Sequence, residues 1–332
     1  MFAALLCVAA AHLALAEDIA GSGSTFAYPV MAKWVKAYQQ ATGTSVVFQP
    51  TGSGAGITEV RSGIVSFAIS DAPLVDAQLL RDGLSQFPVV IGAIVPVINL
   101  DGVTSGQLHL TPDVLADIYL GKITRWRDPA IAQLNPGLTL PDLAVTVLYR
   151  SDPSGTTFNF TDYLSKINTR WLAAVGSDLT VHWPLGFGGK GNGGIAENIA
   201  RVKGSIGYLE YTYAVRAKIS YALIRNRAGN YVTPTERSFH SAVAGVDWLK
   251  EPDFHVLLTD SDASDAWPIM ATSFALVRTY PQDLDKARAS LAFFRWALEH
   301  GQDSARALYY LPLPTDLVDQ VEAYWALQLP RN

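Results

Sequence analysis

The stretch Arg150-Ser151-Asp152-Pro153-Ser154-Gly155-Thr156 has the residue types of a seat for a tetrahedral oxyanion. It follows an apolar, β-branched run at 145–148 that predicts a strand, and it precedes residues 157–164, which predict a helix. The first amides of a helix have no internal acceptor, and the helix dipole leaves partial positive charge there. Gly155 lets a ligand approach the backbone closely, Ser154 and Thr156 add hydroxyl donors, and Arg150 brings a formal charge. Taken alone, the stretch reads equally as an ordinary helix cap beside a solvated arginine. Two further turns, Gly21-Ser22-Gly23-Ser24-Thr25-Phe26 and Gly52-Ser53-Gly54-Ala55-Gly56, also precede helical patterns. Two in the first half of the chain and one in the second predict helix N-termini converging across a cleft. Each hydrogen bond to a charged group contributes about 1.5–3 kcal/mol. A handful, less the entropy of binding, reaches about −8 kcal/mol, or micromolar affinity.

Asp71, in Ser70-Asp71-Ala72-Pro73, is out of place among these donors. It has the position of an Asx-turn or a helix cap before Leu74. The functional alternative is that it accepts a hydrogen bond from a protonated oxyanion. Phosphate at neutral pH still carries a proton, whereas sulfate does not. Against sulfate the carboxylate would face a lone pair and go unpaired, which is costly. Arsenate has nearly the shape of phosphate and also carries a proton, so Asp71 does not separate those two.

These residues need elements to hold them. Val30, Trp34, Ala37 and Tyr38 fall at helical spacing after Pro29, with Gly43 as a stop. Residues 44–49 predict a strand, residues 57–61 continue a second helix ended by Gly63, and residues 64–69 predict a strand running into Asp71. Helix, strand, helix and strand in turn predict a largely parallel sheet with helices on both faces and a ligand beyond the strands' carboxyl ends. Residues 89–99 are too long for an ordinary strand and predict the passage into a second domain. There Thr111-Pro112-Asp113 caps a helix bearing Leu115, Ile118 and Tyr119, residues 186–194 read as a glycine-rich loop carrying Lys190 before a helix at 195–201, and residues 205–209 read as a strand. Residues 267–277 predict the return to the first domain. Two C-terminal helices complete it, with core stripes at Leu284, Ala287, Leu291, Phe294 and Leu298 and at Leu317, Val321 and Trp325.

Composition limits the function classes. With 332 residues, 49% hydrophobic and 17% charged, the chain is globular and long enough for two domains. A net charge of −5 argues against general nucleic-acid binding, which needs many lysines and arginines. Residues 1–16 are apolar and uncharged and end in Ala14-Leu15-Ala16, the pattern of a secretory signal cleaved after Ala16. Its basic leader is missing, so the true start codon is expected upstream. The only cysteine, Cys7, lies in this segment without the small preceding residue that lipidation wants. The mature chain is therefore expected to be exported without disulfides, as suits a bacterial periplasm. The uncharged stretch 83–100 contains Pro88, Gly92 and Pro96 and predicts an extended strand rather than a membrane span, so the mature protein is expected to be soluble. Motifs of serine hydrolases, zinc proteases and P-loop enzymes are absent, and no G-x-G-x-x-G is expected after a strand. His109, His182, His240, His255 and His300 are scattered without metal-ligand spacing.

The chain resembles the periplasmic phosphate-binding proteins of bacterial high-affinity phosphate ABC transporters over nearly its whole mature length. The resemblance rests on residues 21–26, Ala32-Lys33-Trp34, Ser70-Asp71-Ala72-Pro73, Gln86-Phe87-Pro88, residues 117–123, residues 150–156, Gly188-Gly189-Lys190-Gly191-Asn192 and Asp265-Ala266-Trp267-Pro268-Ile269. It implies an α/β, two-lobe periplasmic-binding-protein fold (type II). Each lobe would be a mixed, mostly parallel sheet flanked by helices, with extended crossing strands as the hinge. After the signal at 1–16, lobe 1 would comprise 17–93 and 265–332, and lobe 2 would comprise 94–264. The resemblance further implies inorganic phosphate as ligand, bound by Thr25, Phe26 through its backbone amide, Ser53, Asp71, Arg150, Ser154, Gly155 and Thr156. Asp71 would accept the phosphate proton and Asp152 would orient Arg150. Ala27-Tyr28 replaces the family's usual proline-containing pair, which leaves the ligand-facing motif intact. The implied protein is a monomer that delivers phosphate to membrane permease subunits, with no enzymatic activity, cofactor, metal or nucleic-acid partner. The alternatives are a phosphomonoesterase with a Ser or Thr nucleophile, disfavoured by the scattered histidines, and a receptor for sulfate or arsenate.

Overall fold

The computed structural model describes residues 19–251 and 253–328; the signal segment at 1–16 lies outside the described residues. Its strands are β1 (Ile19–Gly23), β2 (Val46–Gln49), β3 (Phe67–Ser70), β4 (Leu84–Ile98), β5 (His109–Leu110), β6 (Thr146–Arg150), β7 (Phe187–Gly189), β8 (Ser205–Glu210), β9 (Ser220–Tyr221), β10 (Leu223–Ile224) and β11 (Met270–Arg278). Nine form one sheet in the order β2-β1-β3-β11-β4-β8-β6-β7 with β9 beside β4, and β5 and β10 pair separately.

The flanks of the sheet are parallel, as expected: β1 runs with β2 and β3, and β6 runs with β7 and β8. Its centre is antiparallel, because β11 opposes both β3 and β4, and β4 opposes β8. Helix–strand alternation signals only the flanks; the centre is made by strands that arrive from far along the chain.

Strand β4 joins the two halves. Leu84 to Ala93 pair with β11, and Ile94 to Ile98 pair with β8, so one strand belongs to both flanks. All 15 of its residues are buried, as expected for a β-branched apolar run covered on both faces. The extended strand expected within 83–100 forms at 84–98, with Pro88 inside it. A proline cannot donate to a ladder and is tolerated where the pairing is irregular. Pro88 faces Phe274, where the register of β11 shifts between Ser273 and Phe274.

β1 escaped the sequence reading because its glycines resemble a turn. Gly21 is there for space, since a Cβ would sit 2.1 Å from the Phe67 ring. The strand expected at 64–69 forms at 67–70. Helices begin where cap chemistry places them: Thr111 accepts from the Val114 amide ahead of Pro112–Tyr119, and Gly43, at φ 77°, ends Tyr28–Thr42. Asp76–Asp82 and Tyr211–Ala217 are helices the sequence pattern did not reveal. At the C-terminus, Leu284–His300 and Thr315–Gln328 are separated by the short helix Gln302–Arg306. Phe294, Leu298, Leu317, Val321 and Trp325 are buried as expected, whereas Leu284, in the first turn of its helix, is exposed. No helix among the described residues is long and apolar enough to cross a membrane.

Gly23 ends β1 at φ 125°, and a Cβ there would lie 2.2 Å from the Ile69 carbonyl oxygen. Gly23→Ala therefore combines backbone strain with a clash against immobile backbone and is expected to destabilise the fold by about 2–4 kcal/mol. Gly137→Ala, with nothing within 4 Å of the new methyl group, is the control and should shift stability by no more than about 0.5 kcal/mol. Urea unfolding of the two variants side by side checks the pair.

Candidate anion-binding site

Four helices point their N-termini into the space between the two half-sheets: Tyr28–Thr42, Ser53–Arg61, Gly155–Ile167 and Gly191–Arg201. Their approach is close. The Gly54 amide donates to the Pro153 carbonyl at 3.2 Å, and a Cβ on Gly155 would lie 2.7 Å from both the Asp71 Cβ and the Ser53 hydroxyl. A side chain at Gly155 would hold the halves apart.

The first turn is aimed from behind. Tyr213 donates its hydroxyl to the Thr25 carbonyl at 2.8 Å, and Tyr310 donates to the Phe26 carbonyl at 2.5 Å. In a trans peptide the N–H points opposite the carbonyl. Holding the Thr25 carbonyl therefore turns the Phe26 amide the other way. Among the described residues, no acceptor receives the amides of Phe26, Ser53, Gly155 or Thr156. Their hydrogens are free to be given to a ligand. Ser154 caps its helix by accepting from the Thr157 amide at 3.1 Å, which leaves its own hydrogen to give.

Arg150 ends β6 and is buried. Its Nε and Nη2 meet the two oxygens of Asp152 at 2.8 and 2.5 Å, a bidentate pair that fixes the guanidinium plane. Its Nη1 donates to Thr156 Oγ1 at 3.2 Å. Asp152 also accepts from the Gly191 amide at 2.9 Å. Partial burial opposes ionisation of Asp152, yet the hydrogen bond and charge of Arg150 hold its carboxyl below the usual range. The positive charge of Arg150 is thus already matched, and the seat relies on dipoles.

Asp71 directly follows β3 and is 1% exposed. Ser24 donates to its carboxylate, 2.7 Å from each oxygen, Ser273 donates to Oδ1 at 2.7 Å, and Ser53 approaches Oδ2 at 3.4 Å. From the opposite half, Asn159 donates to the Asp71 carbonyl at 2.6 Å. Burial pushes the Asp71 carboxyl up to about 6, against the lowering effects of the Ser24 and Ser273 hydroxyls and Arg150.

All eight residues expected to line the site, together with Asp152, gather here. Three others were missed. Ser24 lay within the quoted turn and looked like a plain cap. Ser273 comes from β11, 202 residues away from Asp71 in the chain, and left no sequence signal. Asn192 sat in what looked like a loop; residues 191–194 are instead the first turn of a helix with Lys190 at its cap. This corrects the reading of 186–194. Gly189-Lys190-Gly191-Asn192-Gly193-Gly194 does follow a strand and open a helix, although β7 spans only three residues and was too short and too glycine-rich to recognise. Among the described residues no group of His, Cys, Asp and Glu could hold a metal ion. At the mouth of the cleft a cavity of about 380 Å³ is lined by Thr25, Tyr28, Thr51, Asp152, Lys190 and Tyr213.

Two half-sheets that share a crossing strand and clasp a site made of helix N-termini define a periplasmic-binding-protein fold. A family model described as a PBP superfamily domain matches residues 8–300. Solved structures agree on the fold, at identities too low to say more. The high-affinity periplasmic phosphate-binding protein PfluDING, solved with phosphate, gives a TM-score of 0.73 at 20% identity over 92% of this chain and 93% of that one. A phosphate-binding protein from Stenotrophomonas maltophilia gives 0.69 at 17% identity over 93% and 94%. Within this superfamily the chain belongs to the PstS family: it is 47% identical to the phosphate-binding protein PstS of Xylella fastidiosa (strain 9a5c), over 93% of this chain and 85% of that protein. The PstS of Haemophilus influenzae is 42% identical over 95% of both chains.

The raised Asp71 carboxyl has a consequence for stability. A carboxyl raised from 3.8 to about 6 on folding binds its proton more tightly in the native state. Stability is therefore lost as pH rises through the window between those values and stays lower above it. At about 1.4 kcal/mol per pKa unit, the upper limit of this cost is about 3 kcal/mol. Asp71→Asn should remove it. In the ligand-free protein the variant is expected to be more stable than wild type at pH 7.5, with the difference shrinking towards pH 4. Thermal unfolding across that range checks the sign.

Proposed function

We propose that the protein captures inorganic phosphate between its two half-sheets and delivers it to the membrane permease subunits of an ABC importer. One observation carries this reading: the cleft presents only donors apart from a single buried carboxylate, Asp71. Amides of Phe26, Ser53, Gly155 and Thr156, hydroxyls of Thr25, Ser154 and Thr156, and the guanidinium of Arg150 offer hydrogens to the oxygens of a tetrahedral anion. Asp71 then accepts the one hydrogen that the ligand itself carries, and Asp152 holds Arg150 in place. The PstS relatives are named phosphate-binding proteins, which supports capture without chemical conversion.

The lobes of this receptor are residues 17–93 with 265–332, and residues 94–264. The change of partner along β4, from β11 up to Ala93 to β8 from Ile94, supports that division. Residues 94–98 and the return near residue 265 are then the hinge about which the lobes close. The apolar segment at 1–16 supports export to the periplasm with cleavage after Ala16, where the receptor acts as a monomer.

Calorimetric titration of the stripped protein with phosphate and with sulfate tests the reading. Phosphate should bind one to one, and sulfate at least about 100-fold more weakly at pH 8, because an unpaired carboxylate facing a lone pair costs about 3 kcal/mol. As pH falls through about 6, where Asp71 takes up a proton, the carboxyl becomes a donor and sulfate binding should strengthen. Asp71→Asn should weaken phosphate binding and admit sulfate at all pH values. Equal affinity for both anions at pH 8 would sink the proton-acceptor role of Asp71. Turnover of a phosphate ester without retention of phosphate would replace capture by catalysis.

A further inference from the structure

Asn192 stands outside the set of groups assigned to the ligand, yet it is fully buried and touches both lobes' hydroxyls. Its backbone amide donates to Thr25 Oγ1 at 3.1 Å and its side-chain Nδ2 donates to the same oxygen at 2.9 Å. The second Nδ2 hydrogen reaches Thr156 Oγ1 at 3.3 Å. On its other side, Asn192 Oδ1 accepts from the Glu210 backbone amide at 2.9 Å. That bond fixes which end of the side-chain amide is which: the oxygen must face the Glu210 N–H, so the NH2 group must face the threonines.

A hydroxyl has one hydrogen to give and two lone pairs with which to accept. Thr25 Oγ1 spends both lone pairs on Asn192. Thr156 Oγ1 spends one on Asn192 and the other on Arg150 Nη1, at 3.2 Å. Neither hydroxyl retains a lone pair for a ligand, and each is left with one outgoing hydrogen. Without Asn192 either hydroxyl could rotate and accept from a ligand instead.

We propose that Asn192 is a positioning residue that makes the hydroxyls of Thr25 and Thr156 obligatory donors to the bound anion. This rests on the phosphate reading above. It adds that discrimination has a second part beside Asp71: the two threonines, one from each lobe, accept nothing, so a ligand must offer acceptors at both places. The bonds from Asn192 to Thr25 also cross the cleft and set the two hydroxyls relative to one another when the lobes are closed.

The test is a double-mutant cycle in phosphate affinity, with thermal unfolding as the check that each variant folds. Asn192→Ala is expected to weaken phosphate binding about 10- to 100-fold. If it acts through the Thr25 hydroxyl, the same substitution in a Thr25→Val background should cost at least about fivefold less. An unchanged factor in both backgrounds would show that Asn192 acts by another route and overturn the proposal. Asn192→Asp covers the case in which the alanine variant does not fold. It keeps the shape and the acceptor for the Glu210 amide but draws the threonine hydrogens towards itself, so its loss should be at least as large, and wild-type affinity in it would also overturn the proposal. Absence of phosphate binding to the wild-type protein would be a different result, removing the parent reading and this inference with it.

Discussion

The ion pair between Arg150 and Asp152 governs the rest of the site. Arg150 is the only lysine or arginine buried among the described residues, and Asp152 meets it through two oxygens. A cleft lined by bare cations would hold any anion tightly. This one has cancelled its single buried cation and must stabilise charge with hydrogens on neutral groups. Such donors are short-ranged and directional, so they reward an anion of the right shape and protonation. The Gly155 approach to Asp71 and Ser53, the tyrosines behind Thr25 and Phe26 and the four helix N-termini all bring neutral donors within reach of one point.

The same constraint accounts for Asp71. A seat of donors alone would take any tetrahedral oxyanion. In the proposed phosphate receptor, one acceptor among them would make the ligand's own hydrogen part of the fit, and burial would make a mismatch costly because no water could mediate. The three serines around Asp71 keep its carboxylate satisfied and fixed while still allowing it to titrate near 6. They arrive from three places, the loop after β1, the start of the Ser53–Arg61 helix and strand β11, so the acceptor is held by the first half-sheet as a whole. The opposite half supplies Arg150 and the Gly155 helix. Strand β4 joins these two sets, its pairing passing from β11 up to Ala93 to β8 from Ile94.

Much of the site was legible in the sequence, because helix caps and glycine turns are local chemistry. Ser154-Gly155-Thr156 after a strand specify a helix start with free amides whatever surrounds them. The Gly52-Ser53 turn does the same, and Asp71 stood out as a carboxylate among donors. β1 was not legible, since its glycines serve packing against Phe67, a contact made across the sheet. Nor was the first turn of the Gly191–Arg201 helix, whose glycines read as loop when the strand before it has three residues.

The sequence by itself determined the kinds of donor and acceptor and the short segments that present them, because those depend on neighbours within a few residues. Only the tertiary structure decided how they are used. Ser273 reaches Asp71 because β11 returns antiparallel beside β3, and Asn192 reaches Thr25 because two helix N-termini meet across the cleft. Those contacts join residues far apart in the chain, and a hydroxyl's choice between giving and accepting is fixed by which distant groups have already occupied its lone pairs. Local sequence carries no record of that choice.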